Sequence, residues 1–133
     1  VGTPLHNSWA GYAYEMLCLN HIKQIKNALG ILGVQSNVST WKSVQSEKGA
    51  QIDLLIDRKD QTINVCEIKF STDNFSITKA YDENLRNKIS SFRQETKTKK
   101  ALHLTLITTY RLTANKYSGM IQKEVVLDNL FNI

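Results

Sequence analysis

Three ionisable residues stand inside the apolar runs of the segment QIDLLIDRKDQTINVCEIKF, residues 51–70: Asp53 in the first run, Glu67 and Lys69 in the second. The charged turn between the runs had room for all of them. Charges set among Ile, Leu, Val and Cys must be paired, hydrated or bound to something, because burying them bare is far too costly. Strand alternation puts Glu67 and Lys69 on the face of Ile63 and Val65, with Cys66, Ile68 and Phe70 on the other. Apolar residues on both faces mark a central strand. Glu67 and Lys69 therefore either project at its end into a cleft or neutralise each other.

A turn centred on Asp60, with an odd number of loop residues, sets Asp53 across from Glu67 on strands roughly 4.8 Å apart. Carboxylates that close repel unless a proton or a cation lies between them. A hard divalent ion suits the pair: Mg²⁺, with Mn²⁺ as its substitute, takes one or two carboxylates and completes its shell with water and phosphate. Lys69 beside such an ion can orient a water nucleophile and offset developing negative charge on a phosphate. Glu15 lies on an apolar helical stripe with Gly11, Cys18, Leu19 and Ile22, from which it can reach the same cleft. Gln51 either touches the metal's water shell or bonds a neighbouring strand. The plainer readings make Asp53 a turn-capping acid, Glu67 and Lys69 an ion pair at the sheet rim, and Glu15 a half-exposed helix acid.

The elements that must carry these residues follow from periodicity. Trp9, Tyr12, Ala13, Met16, Leu17, Ile22, Ile25 and Leu29 predict one helix over 9–29, with Ser8 as N-cap, Gly30 or Gly33 as stop, and Trp9 as a packing residue. Strands are expected at 36–44, 50–57, 62–70 and 101–109, and a short one at 119–126 before a helical turn in LDNLF. Tyr81, Leu85, Ile89 and Phe92 mark the inner face of a second helix over 79–97. The order is α-β-β-β-α-β-β, an α/β fold with a mixed central sheet flanked by helices, the second helix crossing over between the third and fourth strands.

Composition sets the outer bounds. The 133 residues, 41% hydrophobic and 22% charged, suit one globular domain with a single core. No apolar run approaches membrane-spanning length, so no membrane role is expected. Cys18 and Cys66 sit in apolar surroundings and read as reduced core residues of a cytoplasmic protein. His6, His21 and His103 have no ligand spacing. The net charge of +5 is compatible with a polyanionic partner. The basic run Arg93, Lys97, Lys99 and Lys100 is either a backbone contact to nucleic acid or a solvated helix end. Ser71 and Thr72 either line a phosphate path or are loop polars, and Trp41 either packs or stacks on a base.

Asp53, a strand-turn-strand, then EIK at 67–69, preceded by a helix carrying Glu15, resembles the PD-(D/E)XK, or restriction-endonuclease-like, nuclease superfamily. The α-β-β-β-α-β order over residues 9–109 is similar to that family's core. The ending LITTYRLTANKYSGMIQKEVVLDNLF resembles, more narrowly, the C-terminal nuclease-like domain of prokaryotic AAA-type ATPases. The resemblance implies one nuclease-like domain over 1–133, expected to be a fragment of a longer chain because the first residue is Val, with that chain's ATPase domain as partner. It implies DNA as substrate, Asp53 and Glu67 as metal ligands, Lys69 as the catalytic lysine and Glu15 as the helix acid. Two departures stand out: Ile52 replaces the motif's proline, and Gln51 stands where relatives often have an acid. A silent nucleic-acid-binding or protein-interaction domain is the alternative.

Overall fold

A computed structural model of the chain describes residues 4–45 and 50–131. Its elements are α1 (Pro4–Leu19), α2 (Ile22–Ala28), β1 (Ser36–Lys42), β2 (Gln51–Arg58), β3 (Thr62–Lys69), α3 (Lys79–Thr96), β4 (Ala101–Thr108) and β5 (Lys123–Val126), with 3₁₀ turns at Ser118–Met120 and Leu127–Leu130. The strands form one five-stranded sheet in the order β1-β2-β3-β4-β5. β1, β2 and β3 pair antiparallel, whereas β3-β4 and β4-β5 are parallel. The sheet is mixed, and α3 joins β3 to its parallel neighbour β4, as expected for the α/β order read from the sequence.

β3 is central. Every residue from Thr62 to Ile68 is buried, and only Lys69 at its end is partly open. Its two faces feed two cores. Cys66 and Ile68 pack with Tyr14, Cys18 and Ile25 under α1 and α2. Ile63 and Val65 pack with Leu85 and Phe92 under α3. Cys18 and Cys66 are free thiols with no exposure, as expected.

The β2–β3 hairpin turns through Lys59, Asp60 and Gln61, with Gln61 in the left-handed region at φ 64° and an Arg58–Asp60 ion pair of 2.5 Å across it. A three-residue turn of this kind fixes an odd register. The observed pairs run Asp57–Ile63, Ile56–Asn64, Leu55–Val65 and Leu54–Cys66. That register ends at Leu54–Cys66, one step short of the Asp53–Glu67 pairing expected from the sequence.

Four expectations are corrected. The helix over 9–29 is two helices that break at Asn20 and His21. The His21 ring contacts the Leu17 carbonyl at 2.7 Å, meeting one of the acceptors that the end of α1 leaves free. Ser8 is no N-cap, because α1 already begins at Pro4, where a missing N–H costs nothing. Trp9 does not pack: it is 67% exposed, and Tyr12 65%. Tyr14 and Cys18 form the buried edge of α1, and of the stripe drawn from Trp9 to Leu29, Leu17, Ile22, Ile25 and Leu29 pack on that core whereas Trp9 and Tyr12 do not. The last strand is only Lys123–Val126, with a 3₁₀ turn in place of its first residues.

The stop of α2 is as expected. Gly30, at φ +73°, lets Ile31 N–H reach the Lys26 carbonyl at 2.9 Å and Gly30 N–H reach that of Asn27 at 3.0 Å. These two bonds cap the helix end and turn Ile31 into the core.

Candidate active site

β2 carries an irregularity that the sequence does not announce. Ser39 pairs with Leu55 but Trp41 with Ile52, so Asp53 and Leu54 both stand opposite the single Thr40. This bulge interrupts alternation: Ile52 and Leu55 belong to the same core, under α3, while Leu54 belongs to the other. Bulges re-aim side chains beside functional sites. Here the re-aimed residue is Asp53, whose Oδ2 accepts the backbone N–H of Ile68 at 2.9 Å.

Asp53 opens into a cleft of about 740 Å³. Gly11, Tyr12 and Glu15 of α1 form one wall, Ile68 and Lys69 end β3 in its floor, and the loop Ser71–Asn74 closes the far side. The loop is fastened to the strand beside it: Ser71 N–H donates to Thr109 Oγ1 at 2.9 Å, and that hydroxyl donates to the Ser71 carbonyl at 2.5 Å. Glu15, Asp53 and Lys69 thus share one hollow. The charge of Asp53 and, first, burial push the Glu15 carboxyl above its ordinary range, while Lys69 pulls it back.

Glu67 lies behind this lining, on the α3 side of the sheet, with 1% of its side chain exposed. Its Oε1 accepts from Lys88 Nζ at 2.6 Å and, at the limit of hydrogen-bond length, from the Tyr81 hydroxyl at 3.5 Å. Its Oε2 is buried with no hydrogen-bond partner. Burial and then the charge of Asp53 push Glu67 upward, against the pull of Lys88 and Lys69. Lys69 holds its ammonium 5.2 Å from the centre of the Tyr81 ring, a cation–π contact that keeps the side chain at the cleft.

A hard cation fits this donor set. Glu67 Oε2 is a buried acceptor with nothing to accept from, and Asp53 adds a second carboxylate whose charge Glu67 feels. Among the described residues no group of three or more His, Cys, Asp or Glu side chains could hold a metal ion. The donors that these residues would offer a hard cation are two carboxylates, one of which already accepts the Ile68 N–H, so water and substrate would have to supply the rest of a Mg²⁺ shell.

Lys88 is the participant that sequence reasoning missed. Its signal was present: it stands three residues after Leu85 and four before Phe92, on the stripe otherwise filled by Tyr81, Leu85, Ile89 and Phe92, where a lysine has no apolar reason to be. Tyr12, counted only in the helical periodicity of 9–29, lines the cleft.

The remaining candidates scatter. Ser71 and Thr72 line the cleft. Gln51 is exposed opposite Lys42 and does not line it. Arg93 donates to the carbonyls of Thr98 and Lys100, and Lys100 to Asp57 at 2.6 Å and the Arg58 carbonyl at 2.8 Å. These two basic residues tie down the chain between α3 and β4, at the starts of β3 and β4 rather than at the cleft, with exposed Lys97 and Lys99 beside them. Trp41 packs edge-on against Phe92 at 5.3 Å. His103 is half-buried, and the side chain of His6 lies outside the described residues.

Fold and cleft together define a class: an open α/β domain whose mixed five-stranded sheet is flanked by helices, in the order α-α-β-β-β-α-β-β. Among solved structures the chain is similar to AF1548, a protein of unknown function, with a TM-score of 0.54 and 11% sequence identity over 82% of this chain and 56% of that one. The chain thus spans just over half the length of AF1548, and at that identity the likeness is one of fold alone. No protein-family model and no curated protein matches the sequence. No described helix is long and apolar enough to cross a membrane.

Proposed function

We propose that this domain hydrolyses phosphodiester bonds in nucleic acid, with DNA as the substrate by analogy of fold, and that it works as a cytoplasmic nuclease-like domain attached to an AAA-type ATPase. The observation that carries the reading is the convergence of Glu15, Asp53 and Lys69 on one cleft, with the unpartnered oxygen of Glu67 behind it. Asp53 and Glu67 are the residues to hold a divalent ion, Mg²⁺ or Mn²⁺. When bound, such an ion lowers the pKa of a coordinated water and polarises a phosphate oxygen.

The chain's own residues supply the rest. Lys69 brings a compact ammonium with several donors to the cleft, where it orients a water and offsets negative charge on a phosphate. Glu15, held above its ordinary pKa on the facing wall, accepts a hydrogen bond or a proton from that water. Ser71 and Thr72 offer hydroxyls along the path that a phosphate backbone would follow.

A second reading, a silent binding domain, is favoured by one feature: Lys88 already neutralises one of the two carboxylates. Nicking of supercoiled plasmid in Mg²⁺ or Mn²⁺, run beside Lys69→Ala, separates the two. Cleavage by the wild type that disappears in the variant supports the nuclease. Plasmid binding without cleavage in either metal supports the silent domain.

A further inference from the structure

We propose that Lys88 is a positioning residue for the metal site: its ammonium holds Glu67 Oε1 so that Oε2 alone is offered to a divalent cation. The inference rests on the nuclease reading and adds a residue and a geometry to it.

Glu67 has three rotatable bonds and sits almost wholly out of water. Left alone, such a carboxylate could turn either oxygen, or both, toward a cation. The 2.6 Å bond from Lys88 removes that freedom by fastening Oε1 from the α3 side, and the Tyr81 hydroxyl borders the same oxygen at 3.5 Å. Oε2 is then left as the buried acceptor without a partner. Carboxylates that ligate metals commonly have their other oxygen hydrogen-bonded, which fixes orientation and sharpens affinity.

The placement of Lys88 supports a dedicated role. It occupies an inward position on α3 between Leu85 and Phe92, both buried, and its side chain is 15% exposed. A lysine there is desolvated for the sake of one contact. Charge is compatible with the arrangement: three carboxylates, two ammoniums and one divalent ion leave a single positive charge, which a phosphodiester anion neutralises.

The rival role for Lys88 is competition, in which the ammonium stands in for the cation and must leave before the ion binds. The two roles predict opposite signs. Mn²⁺ titration by calorimetry on wild type, Lys88→Met and Lys88→Arg decides between them, with circular dichroism confirming that each variant is folded. Positioning predicts that Lys88→Met weakens Mn²⁺ binding about tenfold or more, within the 10–100-fold range typical of such outer partners, and that Lys88→Arg restores most of it. Equal or tighter binding by Lys88→Met overturns the inference and leaves the nuclease reading standing. No Mn²⁺ heat in the wild type overturns both. Should Lys88→Met not fold, Lys88→Ala, which removes the donor and its charge with less bulk, is read in the same way: weaker binding supports positioning, and equal or tighter binding overturns it.

Discussion

Asp53 accepts the amide of Ile68 through its side chain, just past the last ladder pair of β2 and β3, Leu54 and Cys66. One carboxylate oxygen therefore does the work of a sheet acceptor, and the residue is structural and chemical at once. The two roles separate by substitution. Asp53→Ala leaves the Ile68 N–H without its partner and is expected to lower stability by about 1–3 kcal/mol. Asp53→Asn keeps an oxygen acceptor and should stay within about 1 kcal/mol of wild type. Urea denaturation measures both, and Mn²⁺ calorimetry should show binding lost in each. An Asn variant as unstable as the Ala one would show that the amide bond is not what Asp53 contributes.

Glu67 gives the metal-free protein a pH dependence of definite sign. Its pKa is raised from 4.5, by burial first and the charge of Asp53 second. The folded state thus holds a proton that the unfolded chain has begun to lose, so this stabilising contribution is complete below about pH 4.5 and fades as pH rises through the folded value. Glu15 is raised as well and acts in the same direction. Urea midpoints taken upward from pH 4.5 should fall more steeply for wild type than for Glu67→Gln. Parallel curves would mean that Glu67 does not titrate differently in the two states.

Gly30 tests the end of α2. At φ +73° a side chain is strained, yet an added Cβ would meet nothing within 4 Å. Gly30→Ala should therefore cost about 1 kcal/mol of backbone strain and no more, and should leave plasmid nicking unchanged. A loss of several kcal/mol in a urea titration would point to a packing role instead.

Lys100 is committed to Asp57 and the Arg58 carbonyl at the end of the sheet away from the cleft. Lys100→Ala should change stability by no more than about 1 kcal/mol, as partly exposed pairs do. It should also leave the salt dependence of DNA binding as it was. A slope of log affinity against log salt that flattens by about one would reveal a phosphate contact at this lysine.

The sequence carried most of the fold because its strongest signals are local. The continuous burial of Thr62–Ile68 and the inner stripe of α3 are periodic patterns, and an odd turn at Asp60 fixed the β2–β3 register. It failed where geometry is decided between elements. The break at Asn20 has no proline or glycine in the chain to announce it, and the exposure of Trp9 and Tyr12 depends on which face of α1 meets the sheet. The bulge at Asp53 depends on how β1 meets β2, which neither strand states alone. The site was legible as a set of charges out of place: Asp53, Glu67, Lys69 and Glu15 all attracted notice for sitting among apolar residues. Lys88 broke the same rule, but α3 carries so many charges on its outer faces that one more, turned inward, did not stand out.

The two buried thiols make the molecule its own timepiece. Cys18 belongs to the first helix and Cys66 to the central strand, both facing one shared core. Burial pushes the Cys18 thiol up to about 12 and also raises Cys66, so neither reacts with an alkylating agent until water reaches it. Both thiols lie in the one interface between that helix and that strand. Labelling of either thiol therefore reports that the first helix, with Glu15 and Tyr12 on it, has parted from the central strand.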